Sequence, residues 1–425
     1  MSNDPHGAID AVWRIESPRI VAKVTRMVRD LGVAEELAQD ALVSALESWP
    51  ASGVPENPGA WLMTAAKHRA LDWLRRAKLI GEHHETLGQD IETLGQGVTH
   101  DDFVDALDDD MGDDLLRLVF TACHPVLPAQ SRVALTLRLL GGLTTDEIAR
   151  AFLVPEATVA QRIVRAKRTL AEARVPFELP RGEDRSARLS SVLEVIYLVF
   201  NEGYAATAGE DWMRPALCED ALRLGRILAE LAPQESEVHS LVALMEIQAS
   251  RMSARTGPAG EPVLLLDQDR SRWDHLLIRR GLAALERVRQ LGGEQGFYAL
   301  QAAIAACHAR AATPEATDWS RIAQLYDELA HLAASPVIEL NRAIAHAMAY
   351  GPAAGLALAD PLLDESALRS YHLLPSVRGD LLFKLGRFDE ARAEFERAAM
   401  LTRNERERQL LAGRARECVR LLRSA

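Results

Sequence analysis

The sequence predicts an all-α protein: two small helical modules, an acidic connector between them, and a longer C-terminal region of helical hairpins. Three observations predict it. Apolar residues recur at three- and four-residue spacing through most of the chain. The composition is 48% apolar but only 5% aromatic, which favours helices over strands. The 425 residues exceed what a single core organises, so several domains are expected. The four cysteines, Cys123, Cys218, Cys307 and Cys418, form no CxxC pair, so neither a disulfide framework nor a zinc knuckle is spelled out. The N-terminus MSNDPHGAID lacks a basic region followed by an apolar stretch, and the longest nearly apolar run, Val192 to Phe200, is too short to span a bilayer. A cytoplasmic protein with no membrane partner is expected.

The first module covers 1–80. Its apolar series are Ile15, Ile20, Val24 and Val28, then Leu37, Ala41, Leu42 and Ala45, then Leu62, Ala66, Ala70 and Leu74. Pro50, Pro55 and Pro58 with Gly53 and Gly59 place a loop between Trp49 and Trp61. The third helix gathers Lys67, Arg69, Arg75, Arg76 and Lys78 against Asp72, a candidate nucleic-acid face.

Charge marks the connector, 81–112. The formal net charge is −12, yet 1–80 is balanced at 10 Lys/Arg and 10 Asp/Glu, while 81–114 holds 12 Asp/Glu and no Lys/Arg. Gly-rich and poor in large apolar residues, that stretch reads as a tether outside any core. Residues 115–175 carry 9 basic and 4 acidic side chains.

The second module, 113–176, ends in the pattern of a helix-turn-helix. Thr144 and Glu147 form a capping-box pair before a short helix. Leu153 and Val154 supply the turn, and Pro155 suits the first position of the next helix. On that helix Val159, Ile163, Ala166 and Leu170 fall within about 60° of one another and face the core. Thr158, Gln161, Arg165 and Arg168 point the other way with Arg162 and Lys167 on the flanks, offering groups that read base edges and grip phosphates.

Three segments in this order, DLGVAEELAQDALVSALESW, NPGAWLMTAAKHRALDWLRR and LPAQSRVALTLRLLGGLTTDEIARAFLVPEATVAQRIVRAKRTL, resemble the extracytoplasmic function group of bacterial sigma factors. The resemblance implies core RNA polymerase and promoter DNA as partners. It implies that Glu36, Leu37, Gln39 and Asp40 lie in a polymerase-binding helix. It implies that Trp61, Lys67, His68, Arg69, Trp73, Arg75 and Arg76 lie at the melted minus-ten strand, where aromatic rings beside cations suit an unpaired base. Thr158, Gln161, Arg162, Arg165 and Arg168 would meet the minus-thirty-five duplex. His68 stands where the family often has Asn, and Gln161 where Ser is common, so promoter sequence does not carry over from relatives. An acidic tether would imitate nucleic acid in a polymerase channel.

The region 177–425 exceeds a minimal sigma factor. In RGDLLFKLGRFDEARAEFERAAMLTRN, the residues Gly379, Leu382, Gly386, Phe388, Ala391, Phe395 and Ala398 match the small–large pattern of a tetratricopeptide repeat, clearest at 375–402. Upstream segments read as further stacked hairpins. The strings YLVFNEGYAATAGEDWMRP and LLLDQDRSRWDHLLIRRG resemble signatures of a sigma subgroup with such an extension. That resemblance implies regulation in cis, through contact between extension and sigma modules, with no dedicated anti-sigma factor. Asn201, Glu202, Tyr204, Asp211, Asp267, Asp269, Arg270, Trp273 and Asp274 are the candidates for a regulatory interface or ligand site; an ion-pair network at helix ends is the alternative.

An enzyme is not expected: the chain has no phosphate loop, GxSxG elbow, HExxH helix or GxGxxG turn. Cys123 and His124, adjacent on a helix, diverge and make no catalytic pair. No cofactor and no metal are expected, although His83, His84 and His100 sit among carboxylates. The rival function is a one-component helix-turn-helix regulator with a repeat-built sensor; it leaves 8–80 without a role.

Overall fold

The computed structural model describes residues 5–80, 111–152, 154–205, 213–257, 261–402 and 404–423. The connector residues, with His83, His84, His100 and Asp211, lie outside them. Among the described residues the architecture is helical without strands, apart from one isolated bridge between Thr256 and Pro262. None of these helices is long and apolar enough to cross a membrane. Contacts divide the chain into two compact units, Met1–Ile196 and Tyr197–Ala425.

The first unit opens with α1 (Pro5–Val28), α2 (Leu31–Ser52) and α3 (Pro58–Ile80), which pack on one another. Their buried stripes are Ile20, Val21, Val24 and Val28 on α1, Ala34, Ala38, Ala41 and Ala45 on α2, and Leu62, Ala66 and Ala70 on α3. The run of alanines lets the helices approach closely. Ile15 departs from its apolar series and is 64% exposed. Asp30 caps α2 by accepting a hydrogen bond from the Val33 N–H at 2.9 Å. The break expected at Pro50 comes later, because proline near a helix end forfeits only one bond. Helix α2 stops at Gly53, whose φ of 86° suits glycine and whose N–H reaches the Trp49 carbonyl.

Helices α4 (Met111–Ala122), α5 (Ala129–Leu139), α6 (Thr145–Phe152) and α7 (Glu156–Glu172) follow. The expected capping box is present. The Glu147 N–H donates to Thr144 Oγ1 at 3.1 Å, and the Thr144 N–H donates to Glu147 Oε2 at 2.8 Å. Pro155 precedes α7 instead of opening it, and its carbonyl accepts from the Thr158 N–H. The first part of α8 (Gly182–Tyr204) also packs here. Arg188 donates to the Phe120 carbonyl, and buried Arg132 donates to Ser191, which itself donates to the Cys123 carbonyl.

In the second unit, α9 (Pro215–Leu231) and α10 (Ser236–Ala249) lead through short turns to α11 (His275–Gln290) and α12 (Phe297–Arg310). Then come α13 (Trp319–Leu332), α14 (Pro336–Tyr350), α15 (Pro352–Ala359), α16 (Leu373–Lys384), α17 (Phe388–Leu401) and α18 (Glu405–Leu422). Successive helices pack as hairpins. Leu381, Leu382, Ala391, Phe395, Ala398, Leu411 and Ala415 share one core, where each fully buried Leu or Phe contributes about 1.5–3 kcal/mol. A Cβ on Gly379 would meet the Phe395 ring at 2.9 Å, so only glycine fits this crossing of α16 and α17.

Candidate nucleic-acid interface

Helix α7 presents the surface that its periodicity predicts. Val159, Ile163, Ala166 and Leu170 are buried. Gln161, Arg165 and Arg168 are exposed, and Thr158 and Arg162 are half-buried. Arg168 is engaged by Glu172 at 2.6 Å, one turn on. Val164 was absent from the predicted face, yet it is 64% exposed beside Gln161 and Arg168. Its signal was available in the sequence as an apolar side chain falling outside the core arc.

On α3, His68, Arg75 and Arg76 are exposed, with Arg75 held by Asp72 at 3.1 Å. Three expected members of this face are used inside the module. Lys67 is buried. Arg69 donates to Ser44 Oγ on α2 and to the Ala65 carbonyl. Trp61 is half-buried and meets the buried Trp49 ring edge-on, with centroids 5.3 Å apart. Trp73 is half-buried. The sequence spacing did not show that α2 would approach so closely, and that approach engages Trp61 and Arg69.

Helix α2 shows an exposed stripe of Glu36, Asp40, Val43 and Glu47. Leu37 and Gln39 are half-buried flanks. Val43, 49% exposed, and Glu47 extend the predicted set at helical spacing.

Between the end of α1 and the last turns of α7 lies a cleft of about 990 Å³, lined by Arg26, Arg29, Arg117, Lys167, Arg168 and Arg174 against Asp30 and Glu178. Arg29 and Arg174 end their helices in the left-handed region, at φ 55° and 48°. Glu35, one residue from the exposed stripe, is buried instead and takes Arg138 and Lys167 as partners.

The two unusual strings of the second unit assemble a local network. Asn201 bonds Tyr197, and Glu202 pairs with Arg214. Arg251 donates to the Tyr204 hydroxyl, while the Arg255 guanidinium lies 3.5 Å from that ring's centroid. Asp269 accepts from the Ser271 N–H, and Asp274 caps α11 by accepting from Leu276 and Leu277. Arg270 donates to the carbonyls of His308 and Ala311 and to Thr317 Oγ1, and lies over the buried Trp273 ring. Asp267 is exposed. Burial first, then Arg251 and Arg270, push the His308 imidazole down to about 4.

Sequence profiles of sigma-70 region 2 and sigma-70 region 4 match residues 13–80 and 117–170, and 188–289 match a family of unknown function, DUF6596. A helical unit with these two regions in this order is that of a sigma factor. An uncharacterized protein R00370 of Rhizobium meliloti is 42% identical over 94% of this chain and 93% of its own length. The probable ECF RNA polymerase sigma factor SigI of Mycobacterium tuberculosis is 28% identical over 42% of this chain, which spans 60% of that protein. The ECF RNA polymerase sigma factor SigK of Mycobacterium ulcerans is 28% identical over 36% of this chain and 78% of its own length. No solved structure matches. The chain carries sigma-70 regions 2 and 4 and is similar to extracytoplasmic function sigma factors, with a long helical extension beyond the sigma regions.

Proposed function

We propose that this chain binds core RNA polymerase, directs it to specific promoters as a non-enzymatic initiation factor, and is modulated in cis by its C-terminal hairpins. In this assignment the exposed stripe Glu36, Asp40, Val43 and Glu47, with Leu37 and Gln39, meets polymerase. His68, Arg75 and Arg76, with Trp73, meet the minus-ten strand. Thr158, Gln161, Arg162, Arg165 and Arg168 read the minus-thirty-five duplex from the major groove.

One observation carries the proposal. Helix α7 buries Val159, Ile163, Ala166 and Leu170 and leaves amide and guanidinium groups outward, in a chain that also holds a region 2 module. A regulator acting without polymerase has no use for that module. The tetratricopeptide-like pairing of α16 and α17 supports an interaction role for the extension, since such hairpins form docking surfaces.

The test titrates labelled full-length protein with bacterial core RNA polymerase in the absence of DNA, followed by transcription from a cognate promoter. Saturable binding is the expected result. Failure to bind would leave a one-component regulator as the better assignment.

A further inference from the structure

The two unusual strings of the extension hold a chemistry that the sigma assignment does not use. Tyr204 from the first string, and Arg270 and Trp273 from the second, meet Arg251 and Arg255 of the chain that follows α10. The Arg251 guanidinium carbon lies 5.8 Å from the Tyr204 ring centroid and 5.9 Å from that of Trp273. Arg270 lies 4.9 Å from the same Trp273 centroid, so one indole carries two guanidiniums. Buried Arg255 covers the Tyr204 ring and donates to the Tyr204 carbonyl. Three cations thus share two aromatic rings.

No carboxylate balances Arg251 or Arg270 at close range. The Arg251 guanidinium bonds neutral groups, the Tyr204 hydroxyl and Gln248 Oε1. Arg270 donates to two carbonyls and one hydroxyl. Among the described residues neither forms an ion pair, and exposed Glu315 acts on Arg270 from beyond that range. Burial, and then repulsion from Arg251, hold Arg270 below the usual arginine range, and the same two causes act on Arg255. Donors are also left over. The Nε–H of Arg270 and the indole Nε1–H of Trp273 are buried without a hydrogen-bond partner, as is His308 Nδ1. Trp273 is 4% exposed. Buried polar groups in native proteins are nearly always paired, so unpaired donors amid unbalanced cations point to an acceptor that carries negative charge.

We propose that Arg251, Arg255 and Arg270, with the Trp273 indole N–H, form a binding site for a phosphate dianion, taken either as the free ion or as the end group of a small phosphate ester. Guanidinium forks match a tetrahedral oxyanion, and the indole adds a donor that carries no charge. Neutral His308, as its Nδ1–H tautomer, offers one more donor. The burial of Trp273 limits the ligand to a compact group that reaches inward, which a continuous nucleic-acid backbone does not offer. The site lies wholly within the second unit and stands whether or not the chain binds polymerase.

The test titrates the full chain with sodium phosphate in a calorimeter, in chloride buffer of constant ionic strength near neutral pH. Saturable binding at one site is the expected result. Trp273→Phe keeps a ring and removes the donor, and Arg251→Gln removes a charge bonded to Tyr204 and Gln248. Each should weaken binding by about ten-fold or more, as loss of one charge-assisted or buried hydrogen bond does. Arg251→Lys, which keeps the charge but not the fork, should recover part of the affinity. Arg387→Gln, at an exposed arginine paired with Glu390 elsewhere in the extension, should bind as wild type does. Glycerol 3-phosphate titrated in parallel separates the two sources: tighter binding than phosphate assigns an ester, and equal or weaker binding assigns the free ion. Absence of saturation in folded wild type up to about 10 mM phosphate, weaker than a specific site requires, overturns the proposal. Unchanged affinity in folded Trp273→Phe or Arg251→Gln protein overturns it as well.

Discussion

Arg165 stands clear of the core on α7, and its guanidinium can reach base edges only if the helix enters a major groove. Arg165→Ala should weaken promoter binding by about 1–3 kcal/mol and relax preference at one position. Competition among single-base promoter variants measures this, and uniform loss across all of them would mark a phosphate contact. The cysteines give a second residue-level outcome. Burial raises the Cys123 thiol to about 11 and the Cys218 thiol to about 12, so little thiolate forms near neutrality. Alkylation of native protein at pH 8 should spare both, with mass spectrometry locating the adducts; rapid modification of either would refute their burial. At this scale much was legible in the sequence. The Thr144–Glu147 box and the buried arc of α7 follow from spacing alone, because both are interactions within one or two turns. Glu35 was not legible, since its partners lie 103 and 132 positions away and its type is that of a solvated helix face.

At the scale of elements, α8 makes the boundary between sigma modules and extension less simple than the composition suggests. The sequence places the second module's end at 176, yet Arg188 and Ser191 of α8 bond the Phe120 and Cys123 carbonyls, and Arg132 pairs with both Ser191 and Glu194. A chain ending at Pro176 leaves the buried Arg132 without these partners, which costs about 1–3 kcal/mol for each unsatisfied group. It should melt several degrees below a chain ending at Ile196, as calorimetry would show; equal midpoints would mean that α8 contributes nothing to the first unit. Periodicity revealed the helices themselves, including the α16–α17 pair, where glycine against phenylalanine is a local pattern. Which helix covers which carbonyl is a tertiary fact. Trp61 and Lys67 show the same limit: their types suit a melted strand, but Trp61 meets the Trp49 ring of α2 and Lys67 is buried.

For the whole molecule, His308 links stability to pH. Its imidazole stays neutral in the fold, with a pKa near 4 against an ordinary 6.5, so between those values the unfolded chain binds more protons. Stability is therefore full above about pH 6.5 and falls as pH drops toward 4, by about 2 kcal/mol at pH 5 from this group. Melting curves at pH 7.5 and pH 5 for wild type and His308→Gln should show a smaller acid loss in the variant, and parallel losses would rule the linkage out. The left-handed arginines that end α1 and α7 carry a different consequence. An L side chain in that conformation costs about 1–2 kcal/mol that glycine avoids, yet Arg29 and Arg174 both keep theirs at the mouth of a basic cleft. Here the chain gives up some rigidity of its scaffold for positive potential, and a variant stabilised by glycine at those two turns would lose two of the cleft's cations.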